Sequence, residues 1–192
     1  YELNKDKDVD IRVLTAIGNC HRKLKTFEEG TKFFEIALER DPTNFYALFG
    51  LADCYRGMSQ PLKSITYWNK ILESDPKNKV ILTRAGDAYR ATGNFKEAKF
   101  YYNKALDIEF DIYAAIGLAL ICKDEGELEE AATRFENLIR NDSKNSRLYI
   151  DLSECYVAMN RKQDAVKLLS DYLRFDNRNI AVKSALDKIN IS

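Results

Sequence analysis

The chain has 192 residues, 45% of them hydrophobic, and its 30 basic residues balance 30 acidic ones to a formal net charge of zero. That length carries a sizeable buried core, and the even charge argues against a basic nucleic-acid face or a polybasic membrane anchor. The longest largely apolar run, Ile112 to Cys122, is about half of the roughly 20 residues that a bilayer-spanning helix needs, so membrane insertion is not expected.

The chain starts at Tyr1 rather than Met, and Leu3 to Asp6 (LNKD) resemble Leu38 to Asp41 (LERD). Residues 1–10 therefore read as a linker or as the remnant of an upstream repeat. From Ile11 onward a period of 34 residues takes over. Units begin at Ile11, Phe45, Lys79, Ile112 and Ser146, the third being one residue short around Asp107 to Asp111. This divides the chain into 11–44, 45–78, 79–111, 112–145 and 146–179, followed by a segment 180–192. Small residues recur at the eighth position of each unit (Gly18, Ala52, Gly86, Ala119, Ser153) and at the twentieth (Gly30, Ser64, Ala98, Ala131, Ala165). A unit this short cannot bury its own apolar face, so each copy must stack on the next.

Each unit predicts two helices. In the second, Leu48, Leu51, Ala52 and Tyr55 fall on one helical face, and Ile65, Trp68, Ile71 and Leu72 make a second stripe after a short break. Gly93, Gly126 and Asn160 stand where a helix end needs a left-handed residue. Pro61 fits a first helical turn, where its missing N–H costs nothing. Between units come Asp41-Pro42-Thr43-Asn44, Asp75-Pro76-Lys77-Asn78, Asp142-Ser143-Lys144-Asn145 and Asp176-Asn177-Arg178-Asn179, which is turn and capping chemistry in register. The last segment sets Val182, Ala185, Leu186 and Ile189 against Lys183, Asp187 and Lys188, as a terminal cap with one wet face would.

Small residues at eight and twenty, an aromatic at eleven (Tyr55, Tyr89, Tyr156), a bulky residue at twenty-four (Phe34, Trp68, Tyr102, Phe135, Leu169) and Pro at thirty-two (Pro42, Pro76) resemble the tetratricopeptide repeat. The resemblance covers residues 11–179. It implies an all-α fold: a right-handed superhelical solenoid of about five helix pairs plus a C-terminal capping helix. The departures are local. The usual Trp at position four is Leu14, Leu48, Leu82, Ala115 or Tyr149, and Pro gives way to Phe110, Ser143 and Asn177.

Little in the chain suggests chemistry. Cys20, Cys54 and Cys155 share the tenth position and Cys122 takes the eleventh; they read as small buried core residues, and no Cys/His spacing suggests zinc. Four unpaired thiols favour a reducing, cytoplasmic compartment. His21 is the one histidine and stands where three other units carry Tyr, so a core role with one satisfied nitrogen is expected rather than catalysis. Glu28-Glu29 and Glu129-Glu130 open second helices, where the helix dipole favours carboxylates. No catalytic residue, cofactor or metal site is expected.

In a tetratricopeptide array the first helices line a concave groove, and the resemblance puts their second, fifth, ninth and twelfth positions on it. Arg22, Arg56, Arg90 and Lys123 would then form a basic row, in part neutralised by Asp53 and Asp87 three residues before Arg56 and Arg90. Tyr46, Phe49, Tyr113, Ile116, Leu120 and Ile150 would form an apolar floor. The expected function is binding of a protein partner's peptide or helix, with Arg56, Arg90 and Lys123 steering it. Alternatives stay open: a solvated ion-pair face, an apolar strip covered by another segment or a second copy of the chain in a homo-oligomer, or the recruiting part of a larger enzyme. Asn19 and Arg84 match the residues with which some family members hold a terminal carboxylate, but Thr15, Gly50 and Val80 do not, so that mode is not expected.

Overall fold

The computed structural model describes residues 9–191; the motif at Leu3 to Asp6 lies outside them. Eleven helices follow one another among the described residues: α1 (Ile11–Lys23), α2 (Phe27–Arg40), α3 (Phe45–Gly57), α4 (Pro61–Ser74), α5 (Lys79–Ala91), α6 (Phe95–Ile108), α7 (Ile112–Asp124), α8 (Leu128–Asn141), α9 (Ser146–Ala158), α10 (Lys162–Phe175) and α11 (Ile180–Ile191). They divide into two compact units, one ending at Asp111 and the other beginning at Ile112. In the first, α1/α2, α3/α4 and α5/α6 are packed hairpins; in the second, α7/α8 and α9/α10 are, with α11 against α10 and α9.

The small and bulky positions explain the packing. Every residue at positions eight, twenty and twenty-four is buried, and Phe34, Trp68, Tyr102, Phe135 and Leu169 are wholly so. The Phe34 ring sits between α1 and α3 so closely that a Cβ at Gly18 would lie 2.8 Å from it and one at Gly50 only 2.1 Å. Tyr102 approaches Gly86 in the same way, a Cβ there coming to 2.6 Å. Where Trp68 fills the slot, position eight is Ala52, and the Ser64 hydroxyl donates to its carbonyl at 2.9 Å.

Helix ends repeat with equal regularity. Position fifteen of every unit is left-handed: Lys25, Ser59, Gly93, Gly126 and Asn160, with φ between 57° and 83°. The following N–H then reaches back to the carbonyl at position eleven, as in Thr26 to His21 and Arg161 to Tyr156, closing the helix in a Schellman-type turn. Lys25 and Ser59 carry side chains into a conformation that costs an L residue roughly 1–2 kcal/mol. Lys25→Gly and Ser59→Gly should therefore each stabilise the protein by about 0.5–1 kcal/mol in chemical denaturation; a loss of stability would show that those side chains make compensating contacts.

Asn44, Asn78 and Asn179 each accept the N–H three residues on, capping α3, α5 and α11, while their own amides donate to Asp41, Asp75 and Asp176. The residue missing from the third repeat comes out of this linker: only Glu109 to Asp111 separate α6 from α7, against four residues at the other three inter-repeat turns and before α11.

Two expectations need correction. Cys54, Cys122 and Cys155 are buried, and desolvation pushes Cys54 and Cys155 up to about 11. Cys20, at the same tenth position as Cys54, is exposed: Cys54 packs against Leu14, Phe34 and Ala37 of the hairpin before it, and no described hairpin precedes α1. His21 is half-buried rather than central, its Nδ1 2.8 Å from the Thr26 hydroxyl and its ring stacked on Phe33.

Candidate interaction surface

In the first unit, α1, α3 and α5 bring their polar positions together around one carboxylate. Asp53 is almost fully buried, its side chain 6% exposed, and three guanidiniums close on it. Arg22 of α1 reaches Oδ2 at 2.6 Å, Arg56 of α3 reaches Oδ1 at 2.8 Å, and Arg84 of α5 reaches Oδ1 at 3.1 Å. Burial alone would raise the Asp53 carboxyl, but hydrogen bonds and charge from Arg56, then Arg22 and Arg84, hold it below the usual carboxylate range. Asp87 lies in the field of Arg90, Arg84 and Arg56 and accepts the Tyr102 hydroxyl at 2.6 Å. Four guanidiniums thus meet two carboxylates.

An aromatic group adjoins this cluster. Phe45 packs edge-on to Tyr46 and tilted against Phe49, and Phe49 packs edge-on to the buried Trp68. The Arg84 guanidinium lies 5.1 Å from the Phe49 ring centre and 5.7 Å from that of Trp68. Tyr46 remains 68% exposed. Of the five residues singled out in this unit, Arg22, Tyr46, Phe49 and Arg56 are tied into this cluster by ring and charge contacts, and Arg90 enters it through its charge on Asp87.

The second unit presents a different face. Tyr113, at the same second position of α7 that Tyr46 holds in α3, is 70% exposed. Ile116 and Leu120 are half-buried against a core of Ala119, Phe135, Leu148 and Leu152, so they serve the fold as well as the surface. Lys123 pairs with Glu154 of α9. Ile150 borders a cleft of about 590 Å³ between α9 and α11, lined also by Val157, Ala181, Ala185 and Ile189.

The basic row is therefore largely spoken for within the protein. Sequence reasoning foresaw the Asp53–Arg56 neighbour pair but missed the bridges between repeats. Their signal was present: Arg22 to Asp53, Asp53 to Arg84 and Lys123 to Glu154 are each 31 residues apart. That spacing links adjacent first helices.

The architecture defined by these hairpins is an all-α helical repeat. Models of the tetratricopeptide repeat match residues 11–44, 46–78, 81–112 and 123–189, and the chain belongs to that family. No curated protein sequence matches it. Among solved structures it resembles a tetratricopeptide repeat protein from Parabacteroides merdae, at 17% identity and a TM-score of 0.79 over 98% of this chain and 87% of that one. MamA shares 20% identity at a TM-score of 0.73, covering 88% and 92%. YrrB, described as a TPR protein with an unusual peptide-binding site, shares 18% at 0.66, covering 92% and 91%. These likenesses show the fold. Tetratricopeptide repeats are in general non-enzymatic scaffolds for protein–protein interaction, and they commonly bind protein or peptide partners.

Proposed function

We propose that, within each unit, the first helices form a surface on which a partner's peptide or helix is bound. In the first unit Tyr46 and Phe49 would supply apolar contact and Arg56 and Arg90 charge. In the second, Tyr113, Ile116, Leu120 and Ile150 would supply the apolar contact and Lys123 the charge. The observation that carries this reading is the exposure of Tyr46 and Tyr113 at one register of two first helices. Large aromatics left open beside polar groups are the usual anchors of protein recognition.

Peptides selected from a random displayed library on the wild-type protein test it. Tyr46→Ser or Tyr113→Ser should weaken the selected peptides by about tenfold or more, with the helical signal unchanged. Peptides indifferent to both substitutions would move the binding surface elsewhere. Ile116 and Leu120 are poorer targets because a charge placed there would also damage the core.

Self-assembly is a second reading, favoured by the exposed Phe175, Ile180 and Ile191 around α11. A mass in light scattering that rises with protein concentration, and falls on Ile180→Asp, would support it.

A further inference from the structure

The Asp53 cluster holds more donors than it uses. Its three guanidiniums carry fifteen N–H groups between them, whereas a carboxylate offers about four acceptor sites. The side chains of Arg22, Arg56 and Arg84 are 25%, 51% and 31% exposed, so each keeps partial access to solvent while it is held on Asp53. Arg84 is further held by the Phe49 and Trp68 rings. With Arg90 and Asp87 included, the face carries an excess of two positive charges, and Tyr46 stands open beside it.

Resting on the reading proposed above, we infer that this face takes an acidic segment of a protein partner, with Asp53 as a positioning residue. Asp53 pre-sets three guanidiniums from three successive first helices, so an incoming carboxylate meets forks whose rotamer freedom is already lost. Tyr46 and Phe49 then take an apolar side chain next to the acidic one. The charge excess selects a carboxylate-bearing chain, and the aromatic neighbours select a peptide with an apolar residue at helical spacing.

The consequence runs against simple charge counting. Asp53→Asn makes the face more positive, so a purely electrostatic surface would bind an acidic peptide more tightly. Pre-setting by Asp53 predicts weaker binding. Fluorescence anisotropy with labelled synthetic peptides decides: a Glu-rich peptide carrying Leu or Phe at every third or fourth position, and versions with Gln or Lys in place of Glu. The Glu peptide should bind about tenfold tighter than the Gln peptide, with an affinity that falls as salt is added. Asp53→Asn should weaken it about fivefold to tenfold while the melting curve stays cooperative.

Arg56→Lys is the second variant, for the case in which Asp53→Asn fails to fold. It keeps the charge but loses the fork, and should weaken the Glu peptide while leaving its salt dependence unchanged. Tighter or unchanged binding by either variant overturns the positioning role. Equal binding of the three peptides, all weakened by Tyr46→Ser, overturns the acidic preference but leaves the broader groove reading standing. Three peptides that bind equally and ignore Tyr46→Ser would sink both. An RNA oligonucleotide that displaces the Glu peptide at lower concentration would also overturn the inference.

Discussion

Phe34→Ala is expected to destabilise the first unit by about 3–5 kcal/mol, through lost transfer energy and the void left between α1 and α3. The ring is wholly buried and lies against two glycines of different helices. Gly50→Ala tests the same slot from the other side. Alanine improves helix propensity by about 1 kcal/mol, but its Cβ would come to 2.1 Å from the ring. Moving the ring away drives it toward Gly18, so overpacking of roughly 1–3 kcal/mol should win. In a Phe34→Leu background the clash eases and Gly50→Ala should become neutral or stabilising. A double-mutant cycle in urea reads this coupling. Additive effects would mean that the ring has somewhere else to go.

The second large effect is at Asp53. Asp53→Ala leaves three guanidiniums crowded without their counter-charge, and removing one member of a buried ion pair costs about 3–5 kcal/mol. These arginines keep partial access to water, which screens them, so about 2–3 kcal/mol is expected. Asp53→Asn should be milder because its amide oxygen still accepts. The pH dependence has a definite sign. The carboxyl is held below its usual range in the folded protein, so its stabilisation is complete above the ordinary carboxylate pKa. It is lost as pH falls through the depressed value. Between about pH 7 and about pH 3 the urea midpoint of the wild type should therefore fall further than that of Asp53→Asn. Parallel losses would show that Asp53 is not a determinant of acid stability.

Much of the fold was legible because it rests on local rules repeated in register. The glycine, serine and alanine positions, the left-handed Gly93, Gly126 and Asn160, and Pro61 at a first turn all follow from backbone sterics that a sequence displays directly. Lys25 and Ser59 occupy the same left-handed position but carry no compositional mark of it; only the period locates them. The exposure of Cys20 was hidden for a different reason. Its companion at position ten, Cys54, is covered by the hairpin before it, and a repeat's own residues do not say whether a neighbour stands there.

The surface was less legible than the core. Single-helix spacing finds Asp53 beside Arg56, yet what decides the face is Arg22 and Arg84 arriving from neighbouring helices. The apolar run of α7 likewise suggested an open strip, whereas Ile116 and Leu120 are half taken up by the core beneath them. Tyr113 alone among those three is largely exposed. The side chains proposed to bind and those that pack are of the same kinds here, and only their depth separates them.

In stacked hairpins each member ordinarily senses its immediate neighbours alone, so an array can peel from its ends. A carboxylate gripped at once from the first, second and third hairpins adds a longer tie. Melting either flanking hairpin of these three then also strips a counter-ion from the middle one, and the loss is felt by the hairpin beyond. The first three hairpins should for that reason open together rather than fray one by one, so that the proposed docking floor is either wholly present or wholly gone.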